Sequence, residues 1–361
     1  VLKKPASMEN HILPQASASS LLMWYDKHGR DLPWRDLKGP HKDYKIWLSE
    51  IMMQQTTIAS GTPYYHAFLQ KWPQLSDLAA SSLDDVLQAW AGLGYYARAR
   101  NLHACARQVC ADHGGKFPES EDALLELPGI GPYTAAAISA IVNDHKSVVI
   151  DGNVERVISR LFAIETPLPR AKAEIKAYAT ELTPDVRPGD YAQAVMDLGA
   201  TICTPRGPKC GLCVWSASCV ALHKNAQEDY PKKQPKKPKP KRYGSVYFIE
   251  DGLGNILLKK RPAKGIFGGM FVFPGTQWDN KNAVHKPGNN EIKAAAPIEG
   301  EWDKSPHSVR HVFTHFDLEL DIYRGTCEEA DLDASYHWCA KDKLLSVGLP
   351  SAMKKVAVLM I

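Results

Sequence analysis

The chain has 361 residues, 44% hydrophobic and 23% charged, an ordinary globular composition with enough apolar residues for two cores. Its formal net charge of +4 is too small to announce a polyanionic partner, so where the charges fall matters more than their sum. No apolar run is long enough to cross a bilayer, which excludes a helical membrane protein. Residues 1–20 lack the continuous apolar stretch of a secretory signal and read as a flexible arm. Of the eight cysteines, four fall between 203 and 219 and the rest are scattered, a poor disulfide pattern and a good metal pattern. A reducing compartment is therefore expected, cytoplasmic or otherwise intracellular, and a chain that works as a monomer.

From residue 17 to about 222 the apolar residues recur at helical spacing, with Gly and Pro pairs between the runs. This predicts a compact all-helical domain over 21–222. Early in it stands LPWR, 32–35, where Trp34 alone would be read as ordinary core. In IWLSEIMMQQTT the apolar residues surround the helix axis, so the helix is buried and Glu50 with it. Desolvation favours the neutral form of a carboxyl, which is what a general acid near neutrality needs. A buried glutamate paired with an arginine is the commoner alternative.

Next comes AGLGYYARARNLH, where Arg98 and Arg100 suit phosphates or salt bridges. LPGIGPYTAAAISAI, 127–141, sets Gly129 and Gly131 between two helices, with Pro132 suited to the first turn of the second. The free amides at that helix start can grip a phosphate; a plain helical corner is the alternative. In VVIDGNVERVISRLF, Asp151 or Asn153 is placed to cap the helix that starts near Val154. Cys203, Cys210, Cys213 and Cys219 then give C-x6-C-x2-C-x5-C, which can hold zinc or a four-iron cluster. Spacing alone does not choose.

Residues 223–243 are dominated by Lys and Pro and carry no apolar face, so they form an extended basic linker that is either a spacer or a spacer lying along phosphates. Beyond it the period changes. YGSVYFIE, DGLGN and ILLKKRP predict a β-hairpin, and Phe316, Leu318, Leu320 and Ile322 alternate as on a half-buried strand. SAMKKVAVLM is a helix candidate. The second domain, 244–361, is thus mixed α/β.

Taken together these strings resemble the MutY-type adenine DNA glycosylases of the endonuclease III-like helix–hairpin–helix superfamily, over roughly residues 20–350. SEIMMQQT is similar to the family's SE(V/I)MLQQT, LPGIGPYTA to its helix–hairpin–helix, VIDGNV to its catalytic aspartate motif, and the cysteine spacing to its iron–sulfur loop. The resemblance implies an all-α glycosylase domain with one [4Fe–4S] cluster on the four cysteines, followed by an α/β Nudix-like domain. It implies excision of adenine opposite 8-oxoguanine or guanine in double-stranded DNA, by flipping the base out and leaving an abasic site. Glu50 would protonate the departing adenine, and Asp151 would stabilise the positive sugar with help from Tyr133. Tyr133 stands where family members that also cut the backbone carry a lysine, so no Schiff base and no lyase step are expected.

The same resemblance puts Trp34, Arg35 and Gln193 in the adenine pocket, Gln55 and Thr56 at the opposite base, and Leu93 and Tyr95 as wedges in the duplex. Arg206 and Lys209 would lie on the cluster loop facing phosphates. GGMFVFPG is similar to the family's NLWEFP segment, and HVFTHFDLEL to its RHTFSHF segment. Phe313, Thr314 and His315 would then read the lesion, with Thr314 in place of a serine. The stretch after FVFPG lacks the glutamate cluster of a Nudix hydrolase, so recognition without pyrophosphate hydrolysis is expected. Rival readings are an endonuclease III-like or thymine-mismatch enzyme, a non-catalytic iron–sulfur DNA binder, and a Nudix hydrolase with a helical appendage.

Overall fold

The structure is a computed structural model that describes residues 16–35, 39–235, 238–327 and 332–361. Most of the expected N-terminal arm and linker positions 236–237 lie outside the described residues. Helices α1 (Ala18–His28) and α2 (Lys42–Met53) are followed by α3 (Ile58–Lys71), α4 (Leu75–Ala80), α5 (Leu83–Trp90) and α6 (Ala97–Asp112). After them come α7 (Glu121–Leu125), α8 (Pro132–Asn143), α9 (Gly152–Leu161), α10 (Lys172–Leu182), α11 (Pro188–Thr201) and α12 (Val220–His223). Strand β1 (Lys241–Asp251) opens the sheet, with β2 (Asn255–Lys260) and β3 (Phe271–Val272); α13 (Asn289–Ala295) intervenes before β4 (Asp303–Val312), β5 (Asp317–Cys327), β6 (Tyr336–Ala340) and α14 (Ser351–Met360). None of the described helices is long and apolar enough to cross a membrane.

The described residues form two compact units, one drawn from 1–55 and 108–236 and the other from 56–107 and 237–361. In the first, α8, α9, α10 and α11 pack around Val157, Ile158, Ala194, Val195 and Leu198. Each large aliphatic side chain buried there contributes about 1.5–3 kcal/mol. Gly199 permits the close approach of α11 to the start of α9, since a Cβ there would sit 2.6 Å from the Cβ of Asn153. Helix α2 is buried through Tyr44, Ile46, Trp47, Leu48, Ile51 and Met52.

In the second unit the sheet runs β3-β2-β1-β5-β4, with β6 paired to β2. The pair β1–β5 is parallel and the others are antiparallel. The expected β1–β2 hairpin forms, and Leu318, Leu320 and Ile322 alternate inward along β5. Helix α14 occupies the segment SAMKKVAVLM. A tight turn joins β4 to β5, closed by the Phe313 amide donating to the Phe316 carbonyl at 2.9 Å. Its tip carries the three residues expected at the lesion.

Candidate active site and cysteine pocket

Glu50 lies near the C-terminal end of α2, and Tyr133 in the first turn of α8, which packs on α2. The Tyr133 hydroxyl donates to Glu50 Oε2 at 2.6 Å. Burial pushes the Glu50 carboxyl above its usual range; the Tyr133 bond and Arg35 oppose this, and the nearby charge of Asp151 adds to it. Burial, with the neighbouring carboxylates, also holds the Tyr133 hydroxyl neutral, so it is a lasting donor. Tyr133 is also within electrostatic reach of Asp151, the carboxylate it is expected to assist.

Asp151 caps α9. Its Oδ1 accepts from the amides of Asn153 (2.8 Å) and Val154 (2.7 Å), and Oδ2 accepts from Asn153 Nδ2 (2.7 Å). The helix start thus orients this carboxylate. One fold places both acids close enough to interact, one partly buried with a raised pKa and the other held by N–H donors. Such a pair can protonate a leaving group and stabilise a cationic sugar.

Arg35 is held in a network with Asp197 and Arg30. Its guanidinium donates to both oxygens of Asp197 on α11, at 2.6 and 2.8 Å, and to the Arg30 carbonyl at 3.1 Å. Arg30 adds its backbone amide (2.8 Å) and Nε (2.7 Å) to the same carboxylate, whose side chain is wholly buried. Burial opposes the charge of Asp197, and the two arginines outweigh it, so its pKa is lowered. Arg35 is thus fixed by Asp197 and lies within electrostatic reach of Glu50. Trp34 is buried. Gln193 is partly buried one turn before Asp197, hence on the same face of α11.

At the helix–hairpin–helix, Gly129 has φ +78, which glycine adopts without strain. Gly131 departs from expectation: as N-cap of α8 it has φ −101, an angle open to any residue. A Cβ there would meet nothing within 4 Å, so the turn itself does not require a glycine at 131.

Cys203, Cys210, Cys213 and Cys219 line one pocket of about 310 Å³ together with Arg160, Ile202 and Leu222. None is in a disulfide. Burial first, then the neighbouring thiols, pushes Cys213 up to about 11, and burial likewise raises Cys219. Among the described residues no three His, Cys, Asp or Glu side chains form a group that could hold a single metal ion. Arg206 and Lys209 are exposed on this loop.

Gln55, in the first unit, is exposed with φ +55. In the second unit Thr56 accepts from Arg98 at 3.3 Å. Tyr95 is 48% exposed with φ +49, whereas Leu93 is 8% exposed. Arg98 bonds the Leu93 and Gly94 carbonyls, and Arg100 bonds the Gly268 carbonyl at 2.7 Å. Tyr95 and Thr314 share a hydrogen bond between their hydroxyls. Phe313 is packed among Phe267, Trp278, His311 and Phe316, while Thr314 and His315 are exposed. Glu291, in the stretch after FVFPG, caps α13 by accepting from the Gly288 amide.

Residues 48–184 match the HhH-GPD superfamily base excision DNA repair protein profile, and residues 245–358 match the NUDIX domain. The adenine DNA glycosylase of Homo sapiens is 32% identical over 94% of this chain and 73% of its own length. That of Buchnera aphidicola subsp. Schizaphis graminum is 34% identical over 93% of this chain and 96% of its own. The chain belongs to the adenine DNA glycosylase family. A solved thermostable thymine-DNA glycosylase superposes with a TM-score of 0.52 at 32% identity, covering 57% of this chain and 95% of its own. The family's two-part architecture, helical domain then Nudix-like domain with a mixed sheet, is thus the one this chain has.

Sequence reasoning passed over Asp197 and Arg30. A signal was present: a lone aspartate inside AVMDLGA, on a helix otherwise buried, needs a cationic partner, and HGRDLPWR offers two arginines five residues apart. Arg160 was also missed. It is 2% exposed on α9, beneath the cysteine pocket.

Proposed function

We propose that this chain excises adenine standing opposite 8-oxoguanine or guanine in double-stranded DNA and leaves an abasic site. The observation that carries the reading is the Tyr133–Glu50 hydrogen bond beside the capped Asp151. Because Tyr133 donates to Oε2, the proton of neutral Glu50 belongs on Oε1. From there it passes to a ring nitrogen of the flipped adenine, making the base a better leaving group. The Asp151 carboxylate, oriented by three N–H donors, stabilises the cationic sugar. Water then adds at the sugar carbon. Trp34 and Gln193 line the base pocket, and the Arg35–Asp197–Arg30 network holds its wall. Residues 21–222 do this chemistry. Residues 244–361 read the opposite base, with Tyr95, Thr314 and His315 at the contact; Gln55 and Thr56 also meet that base.

Cys203, Cys210, Cys213 and Cys219 would hold one [4Fe–4S] cluster. When bound, it supplies a rigid, charged anchor for the 203–219 loop, on which Arg206 and Lys209 face phosphates. Gly129 and Gly131 would let the backbone amides at the start of α8 approach another phosphate.

The test is a labelled duplex with adenine opposite 8-oxoguanine, incubated with the protein and then split, one half treated with alkali. Strand breaks only after alkali are expected. Breaks without alkali would mean a lyase, and intact strands in both halves would mean a binder.

A further inference from the structure

Arginine is almost never fully buried without a partner for its charge. Arg160 is buried, and among the described residues none of its hydrogen bonds is to a carboxylate. Its Nε donates to the Tyr230 carbonyl (3.1 Å), Nη1 to the Thr204 carbonyl (2.7 Å) and Nη2 to the Pro205 carbonyl (3.0 Å). The remaining contact is Nη1 to Cys203 Sγ at 3.3 Å. Cys219 completes the association from the other side, its thiol lying 3.6 Å from the Arg160 carbonyl. Arg156, one turn earlier on α9, donates to the carbonyls of Cys203, Gly199 and Gly152 and to Asn153 Oδ1, and none of these bonds is to a sulfur. Arg160 is thus the cation on this wall that touches a sulfur.

We propose that Arg160 is a positioning residue for the cysteine pocket: it supplies the counter-charge and an N–H···S hydrogen bond through which the four sulfurs hold their cluster and set its reduction potential. The proposal rests on reading the pocket as an iron–sulfur site. Bound thiolates give that site net negative charge, which a buried guanidinium balances at short range. Hydrogen bonds to sulfur and nearby positive charge both favour the electron-richer state of a cluster, so they raise its potential. The planar fork also clamps residues 203–205, the segment that brings the first cysteine to the pocket.

The experiment compares the full chain with Arg160→Gln and Arg160→Lys, all isolated without oxygen. Iron and inorganic sulfide are measured first on the parent. Their presence in equal amounts supports the cluster reading, and their absence overturns that reading independently of Arg160. Iron retention against a chelator and the cluster potential are then measured on folded protein. Arg160→Gln is expected to hold iron roughly 10- to 100-fold less tightly, the usual cost of losing a residue that supports a ligand, and to shift the potential to more negative values. Arg160→Lys keeps the charge and loses the fork, so its potential should fall between the two. If Arg160→Gln does not fold, Arg160→Lys carries the comparison. Lower thermal stability with unchanged iron retention and an unchanged potential in the folded variant would reduce Arg160 to a structural clamp and overturn the proposal.

Discussion

At the residue scale the chemistry depends on one carboxyl being neutral while another is charged. Glu50→Gln and Asp151→Asn should each lower single-turnover adenine release by about 10²–10⁴-fold, the usual worth of a positioned acid or base, with mismatch binding retained. Near-parent rates in either variant would remove both assignments. The pH dependence has a definite sign. Glu50 acts in its protonated form, so release should slow as pH rises through its raised pKa. The Tyr133 bond lowers that pKa, so in Tyr133→Phe the alkaline limb should move to higher pH. A limb that moves to lower pH would contradict donation from Tyr133 to Glu50. Asp197 is the complementary case. Its folded pKa is lowered, so the stability it contributes is present above the ordinary carboxylate range and is lost as pH falls through the folded value. Asp197→Ala strands two arginines and should cost about 3–5 kcal/mol in denaturant unfolding.

At the element scale the helix starts do the positioning. Asp151 is legible as a cap from DGNV, because an acid before a helical run is the commonest way to satisfy the first amides. Its nearness to Glu50 is not legible, since it depends on α2, α8 and α9 packing together across a hundred residues. The two hairpin glycines separate in the same way. Gly129→Ala forces a side chain into a left-handed backbone and should destabilise by about 1–2 kcal/mol. Gly131→Ala should leave stability unchanged, because its backbone is ordinary and its surroundings open, while weakening duplex affinity if that opening admits a phosphate. Equal stability losses in both would refute the distinction. Leu93 and Arg35 show what a local string leaves open: packing buries the leucine, and an aspartate far along the chain holds the arginine.

At the scale of the whole molecule a net charge of +4 is modest, so DNA affinity must come from local groups. Arg206→Ala and Lys209→Ala, both exposed on the cysteine loop, should each reduce the slope of log affinity against log salt by about one. They should leave single-turnover release from the bound duplex unchanged. An unaltered slope would take the loop out of the phosphate contact.

What the amino-acid order settles unaided is the set of local periodicities and spacings. These include the helical half, the alternating strands after residue 240, the cap at Asp151, the cysteine spacing and the buried setting of Glu50. Each depends on neighbours within one or two turns. Tertiary structure alone decides which oxygen of Glu50 meets Tyr133, that Asp197 gathers Arg30 and Arg35, that Tyr95 meets Thr314, and that Arg160 lies against a cysteine sulfur. Those partners lie between 43 and 219 residues apart in the chain. Hydrogen bonds form over about 3 Å, so only the packing of whole elements can bring such groups within reach.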